Sequence, residues 1–129
     1  MNERTDSWIT DFFASIDRMD PEAFSAHFAE TGHFRFANHP PLEGRAAIAG
    51  GAQGIFGLLK SIRHEVLRTW QADGDVLIEG RVHYHRAADD RQMAFPFFSV
   101  FEFTDGPMSL VQSYRVFVDS HELFLPPGN

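Results

Sequence analysis

The chain has 129 residues and no cysteine, so it reads as a single domain over 1–129 without disulfides, thiolate nucleophiles or cysteine-held zinc. A formal charge of −7 argues against nucleic acid and against anionic membrane surfaces, since both need clustered lysine and arginine. No apolar run approaches the roughly 20 residues of a membrane span, and MNERTDSW at the start lacks an apolar signal region, so a soluble cytoplasmic protein is the expectation.

Residues Thr5–Met19 carry Trp8, Phe12 and Ile16 at four-residue spacing, with Phe13 widening the stripe, which predicts a helix. Asp20-Pro21-Glu22 then starts a second helix, Asp as N-cap and Pro in the first turn, ending near Glu30–Gly32. His33–Phe36 alternates polar and apolar and predicts a strand with Phe34 and Phe36 inward, broken by Asn38-His39-Pro40-Pro41. Arg45–Ile62 predicts a third helix, weakened by Gly50, Gly51, Gly54 and Gly57 by up to about 1 kcal/mol each relative to alanine. Strands are predicted over Arg63–Gln71, Val76–Arg86, Met93–Thr104 and Leu110–Asp119, joined by tight turns and followed by a tail, Ser120–Asn129. The order predicts an α+β fold, an antiparallel sheet with helices on one face.

Strand alternation selects candidate pocket residues. Phe95–Phe103 reads FPFFSVFEF, so Ser99 shares its face with Phe95, Phe97, Phe101 and Phe103. An unbulged hairpin around Asp89-Asp90 is favoured and sets Gly80, Val82 and Tyr84 on that face, with Arg81, His83 and His85 opposite. A bulged turn would reverse the faces. On the last strand Gln112, Tyr114, Val116 and Val118 point inward. The polar candidates are therefore Ser99, Tyr84, Tyr114 and Gln112, joined by Asn38 in the preceding loop. Against each stands a bland reading: tyrosines packed in a core, Ser99 a small filler, Asn38 a turn residue. His83 and His85 share one strand face, and His64 or Glu79 could approach them, but spacing supplies no third ligand, so neither metal nor cofactor is expected. Phe98, Val100 and Phe117 make an apolar patch on the far face, the kind of surface that marks a protein interface.

The element order, with Asp20-Pro21-Glu22, Phe28-Ala29-Glu30, Pro41-Leu42-Glu43-Gly44-Arg45-Ala46-Ala47-Ile48, Val100-Phe101-Glu102-Phe103-Thr104-Asp105-Gly106 and Tyr114-Arg115-Val116-Phe117-Val118-Asp119, resembles the nuclear transport factor 2-like superfamily. That superfamily includes ketosteroid isomerase, limonene epoxide hydrolase and the SnoaL-like polyketide cyclases. The resemblance implies a cone-shaped α+β roll, a curved sheet wrapped around N-terminal helices and a deep apolar pocket, and dimerisation through the outer sheet face.

The reactions of the superfamily fit less well. Phe12 stands where the isomerase keeps its tyrosine, Phe36 where it keeps its base, and Ser99 where it keeps its acid donor, so its carboxylates are missing. The hydrolase's Arg-x-Asp becomes Arg81-Val82-His83, which leaves His83 as an acid or base, and its second aspartate becomes Val116. Strand alternation and the resemblance together give catalytic candidates Tyr84, Ser99, Tyr114 and His83, with ligand contacts from Trp8, Phe12, Phe36, Asn38, Phe56, Phe97, Phe101 and Gln112. Two readings stay open: an enzyme that isomerises, cyclises or hydrolyses a small apolar cyclic, polyketide- or terpenoid-like molecule, and a non-catalytic ligand-binding module.

Overall fold

A computed structural model describes residues 3–127, so the end residues of the predicted tail, Gly128 and Asn129, lie outside the described residues. Helix α1 (Glu3–Asp17) buries Ile9, Phe12, Phe13 and Ile16, the face its apolar spacing demands. Helix α2 (Pro21–Ala26) begins as the sequence predicts: Asp20 accepts the Ala23 N–H at 3.0 Å, and proline occupies the first turn.

Helix α2 ends earlier than predicted, because the chain turns at His27 into strand β1 (Phe28–Phe36). The pairing of β1 with the last strand is irregular between Phe28 and His33. Gly32 makes that irregularity possible, since a Cβ there would lie 2.9 Å from the Val111 carbonyl oxygen. A two-residue strand, β2 (Leu42–Glu43), pairs with β1. Helix α3 (Arg45–Phe56) is shorter than predicted. Residues beyond Gly57 join strand β3 (Leu59–Ala72), where Leu59 pairs with Arg86 and Ile62 with Tyr84. Sheet pairing overrides the weak helical signal of a glycine-rich segment.

Strands β4 (Asp75–Arg86), β5 (Gln92–Phe103) and β6 (Val111–Val118) complete a six-stranded sheet ordered β2-β1-β6-β5-β4-β3. Neighbours run antiparallel except β1 and β6, which run parallel, so the sheet is mixed where the sequence predicts it antiparallel. No hairpin joins β1 to β6, and so nothing forces opposite directions on them. The architecture is the expected α+β one, with a curved, unclosed sheet over the helices.

The β4–β5 register is the unbulged one: Ile78 faces Ser99, Gly80 faces Phe97 and Val82 faces Phe95. This turns Val82, Tyr84, Phe97 and Ser99 inward and His83 and His85 outward. On the outer face Phe98 lies opposite Phe117, which is 53% exposed. Trp70 packs beside Phe98 and beneath the Arg68 guanidinium on that same face. Beyond β6, a 3-10 turn (His121–Phe124) buries Leu123, and the buried Arg86 holds it in place. Arg86 donates to the carbonyls of Glu122, Leu123 and Leu125 and to both Asp89 oxygens. Among the described residues, no helix is long and apolar enough to cross a membrane.

Candidate functional site

Much of the space inside the cone is taken by the protein's own rings. Phe101 stacks on Tyr114 at 4.5 Å, and Phe12 meets both edge-on at 5.0 Å. Trp8 stacks on Phe12 and abuts Phe101 and Phe103. What remains is an inner cavity of about 40 Å³, room for one or two waters. The deep pocket implied by the resemblance is therefore a slit. Its walls include Phe34, Phe36, Ile55, Phe56, Phe97 and Val116, and its polar groups come from Tyr84, Tyr114 and His64. Gly80 shapes one wall: a Cβ there would lie 2.6 Å from the Phe97 ring and closer still to the Glu65 carbonyl oxygen, so only glycine lets that ring lie over β4.

The candidate residues divide accordingly. Tyr84, Tyr114, Phe36, Phe56 and Phe97 reach the cavity. Trp8, Phe12 and Phe101 do not line it, because they form the packed aromatic floor beside it. Ser99 is fully buried behind the wall, and its Oγ lacks a hydrogen-bond partner among the described residues. Gln112 turns away, for a bulge pairs Phe103 with Val111 and Glu102 with Ser113, leaving Gln112 as the extra residue. Its amide donates instead to the Thr31 carbonyl at 3.1 Å. Asn38 lies in a surface groove with Arg35, His39 and Arg115. His83 sits on the outer face, 3.2 Å from Glu65, too far round the sheet to reach the cavity. His85 on that face is held by Asp90, whose carboxyl Lys60 and then His85 keep below its ordinary range.

The sequence reading misses a pair. His64 on β3 presents Nδ1 to Asp17 Oδ1 at 2.7 Å, and its backbone N–H donates to both Asp17 oxygens at 3.1 Å. A carboxylate oxygen accepts, so the Nδ1 proton points to Asp17 and Nε2 is the ring nitrogen that the pair leaves over. The imidazole lies 4.7 Å from the Phe13 ring and 5.5 Å from that of Phe97, which fixes its plane. Its side chain is 8% exposed against 29% for Asp17. His64 lines the cavity, and with Nδ1 given to Asp17, Nε2 is its remaining ring nitrogen. One signal for Asp17 is readable: it stands in the last turn of α1, where the helix dipole disfavours a carboxylate and no basic residue offsets it.

The two phenols are held neutral. Burial pushes Tyr84 well above its ordinary value. Burial does the same to Tyr114; the nearby Ser99 hydroxyl opposes that rise, while Tyr84 and Asp17 add to it. Ser99 thus lies close enough to act on the Tyr114 phenol, although its Oγ does not complete a well-formed bond. Both tyrosines are therefore hydrogen-bond donors at neutral pH. Together, a carboxylate-oriented imidazole and two neutral phenols on an apolar wall can take a proton from one atom of a bound molecule and donate hydrogen bonds to another.

The profile of the SnoaL-like domain matches residues 9–111. The chain belongs to the SnoaL-like domain family. Solved structures with the same fold include a protein described as a SnoaL-like polyketide cyclase from Jannaschia sp. CCS1, 14% identical, covering 96% of this chain and 94% of that one with a TM-score of 0.79. A protein with a ketosteroid isomerase-like fold from Catenulispora acidiphila, solved in complex with trimethylamine, is 18% identical over 88% of this chain and 85% of its own, with a TM-score of 0.78. An LEH-like epoxide hydrolase from M. tuberculosis is 16% identical over 92% and 84%, at 0.71. At these identities the likeness extends to the fold alone. No curated protein matches the chain.

Proposed function

We propose that this SnoaL-like domain binds a small apolar cyclic molecule in the inner cavity and moves a proton on it, with His64 as general base and Asp17 as its orienting partner. One observation carries the reading: an imidazole held 2.7 Å from a carboxylate sits on a mainly apolar wall with the Tyr84 and Tyr114 phenols. In such a site Nε2 takes a proton from carbon or from water, while Tyr84 and Tyr114 donate to the oxygen on which charge develops. Asp17 fixes the starting tautomer, with the proton on Nδ1, and faces the imidazolium as it forms. Isomerisation, cyclisation and hydrolysis all draw on this step. The cavity of about 40 Å³ must widen to admit a ring, and outward movement of α3, which carries Ala52, Ile55 and Phe56 on the wall, is the route we assign.

The test is turnover of non-conjugated cyclohexenone, followed as it becomes the conjugated isomer, and of cyclohexene oxide. Wild-type protein converts at least one of them, and His64→Gln and Asp17→Asn each slow it by about a hundredfold or more. Conversion at the wild-type rate in both variants would rule out the dyad. The small cavity also favours a second reading, a binding module without chemistry. Its signature is equal binding of cyclohexenone by wild type and His64→Gln, with neither compound converted.

A further inference from the structure

His64 is a wall between two spaces. On one side is the inner cavity; on the other, between α1 and β3, lies a surface groove of about 340 Å³. Asp6, Thr10 and Asp17 from α1 and Thr69 from β3 line that groove beside apolar Ile9, Phe13 and Val66, and His64 belongs to both linings. Asp17 belongs to the groove and not to the cavity lining, and it is the more solvent-exposed member of the pair. The backbone helps to hold this arrangement. The His64 N–H on edge strand β3 is satisfied by the Asp17 carboxylate instead of a neighbouring strand.

We infer that the α1–β3 groove is the proton port of the site: protons enter and leave His64 through Asp17 from groove water, not through the inner cavity. This deepens the dyad reading and rests on it. The cavity has room for only one or two waters, whereas the groove admits bulk solvent up to the carboxylate. When Nε2 has accepted a proton from a bound molecule, the imidazolium passes its Nδ1 proton to Asp17 Oδ1, and the resulting carboxylic acid releases it to groove water. The ring is left neutral, with its proton on Nε2. Donation of that proton back to the bound molecule, with a fresh proton arriving through Asp17 at Nδ1, restores the starting tautomer. Every proton is accounted for, and none crosses the cavity to reach solvent. The ionisable groups around the imidazole divide the same way, Asp6 and Asp17 on the groove side and the neutral Tyr84 and Tyr114 on the cavity side.

The port can be tested without any substrate, so its failure is separable from failure of the dyad's chemistry. In ¹⁵N-labelled full-length protein, long-range ¹H–¹⁵N spectra report the His64 tautomer, and saturation transfer from water reports exchange at Nδ1. Thr69→Trp blocks the groove from β3, and Thr10→Trp, on the exposed surface of α1, blocks it from the other bank should the first variant fold poorly. Ile55→Phe instead fills the inner cavity. The expected result is exchange slowed at least about tenfold by either groove variant, unchanged within about twofold in Ile55→Phe, and the Nδ1–H tautomer kept in all. Slowing by Ile55→Phe with less than threefold change in the groove variants would place the port on the cavity side and overturn the inference.

Discussion

A buried hydroxyl without a partner is costly, and among the described residues Ser99 is such a group, in the middle of a phenylalanine-rich strand. If its role is only to fill space behind the wall, Ser99→Ala removes an unmet polar atom and raises stability by about 1 kcal/mol in urea unfolding. A drop of similar size would show that Ser99 gains a real bond, and the Tyr114 phenol is the group within its influence. Residue-scale legibility follows the same physics. Tyr84 and Tyr114 can be placed from sequence because alternation holds along β4 and the middle of β6. Alternation misplaces Gln112 because a single bulged residue reverses it and leaves no trace in composition. His64 and Asp17 lie 47 residues apart, so their partnership exists only through the docking of α1 against β3.

At the scale of elements, α3 links fold stability to the site. Its wall-facing side carries Ala52, Ile55 and Phe56. On its open side, a Cβ added at Gly50 or at Gly54 would meet no atom within 4 Å. Replacing both with alanine therefore meets no steric cost and recovers helix propensity, about 0.5–1 kcal/mol at each position. Gly50→Ala with Gly54→Ala should raise stability by about 1–2 kcal/mol in urea unfolding. If α3 must move for a ring to enter, the stiffer variant also binds cyclohexenone more weakly. Higher stability with unchanged binding would remove α3 as the moving part. The helix–strand boundary beyond these glycines is hard to read for a related reason. The apolar run through Leu59 and Ile62 suits a helix and a strand equally, and only pairing with β4 decides between them.

For the molecule as a whole, alternating strands and tight turns reveal the α+β roll, whereas the parallel β1–β6 pairing and the filled interior depend on contacts distant in sequence. Those contacts give the cavity a global signature. The chain has two tyrosines, and both stand on the cavity wall with their phenols pushed upward by burial. In the unfolded chain each ionises near the ordinary value of 10.0. In the fold each keeps its proton to higher pH, so above that value the native state binds more protons than the unfolded state. The sign then follows: stability supplied by the protonated phenols is complete below pH 10 and is lost as pH rises beyond it. Each phenol contributes a decline of up to about 1.4 kcal/mol per pH unit, about twice that for the pair. Urea unfolding between pH 8 and 11 should therefore be flat at first and fall steeply past 10, and Tyr84→Phe or Tyr114→Phe should each remove about half of the steepness. An alkaline limb of equal slope in wild type and both variants would mean that the phenols are in contact with water, and with them the wall on which the proposed chemistry depends.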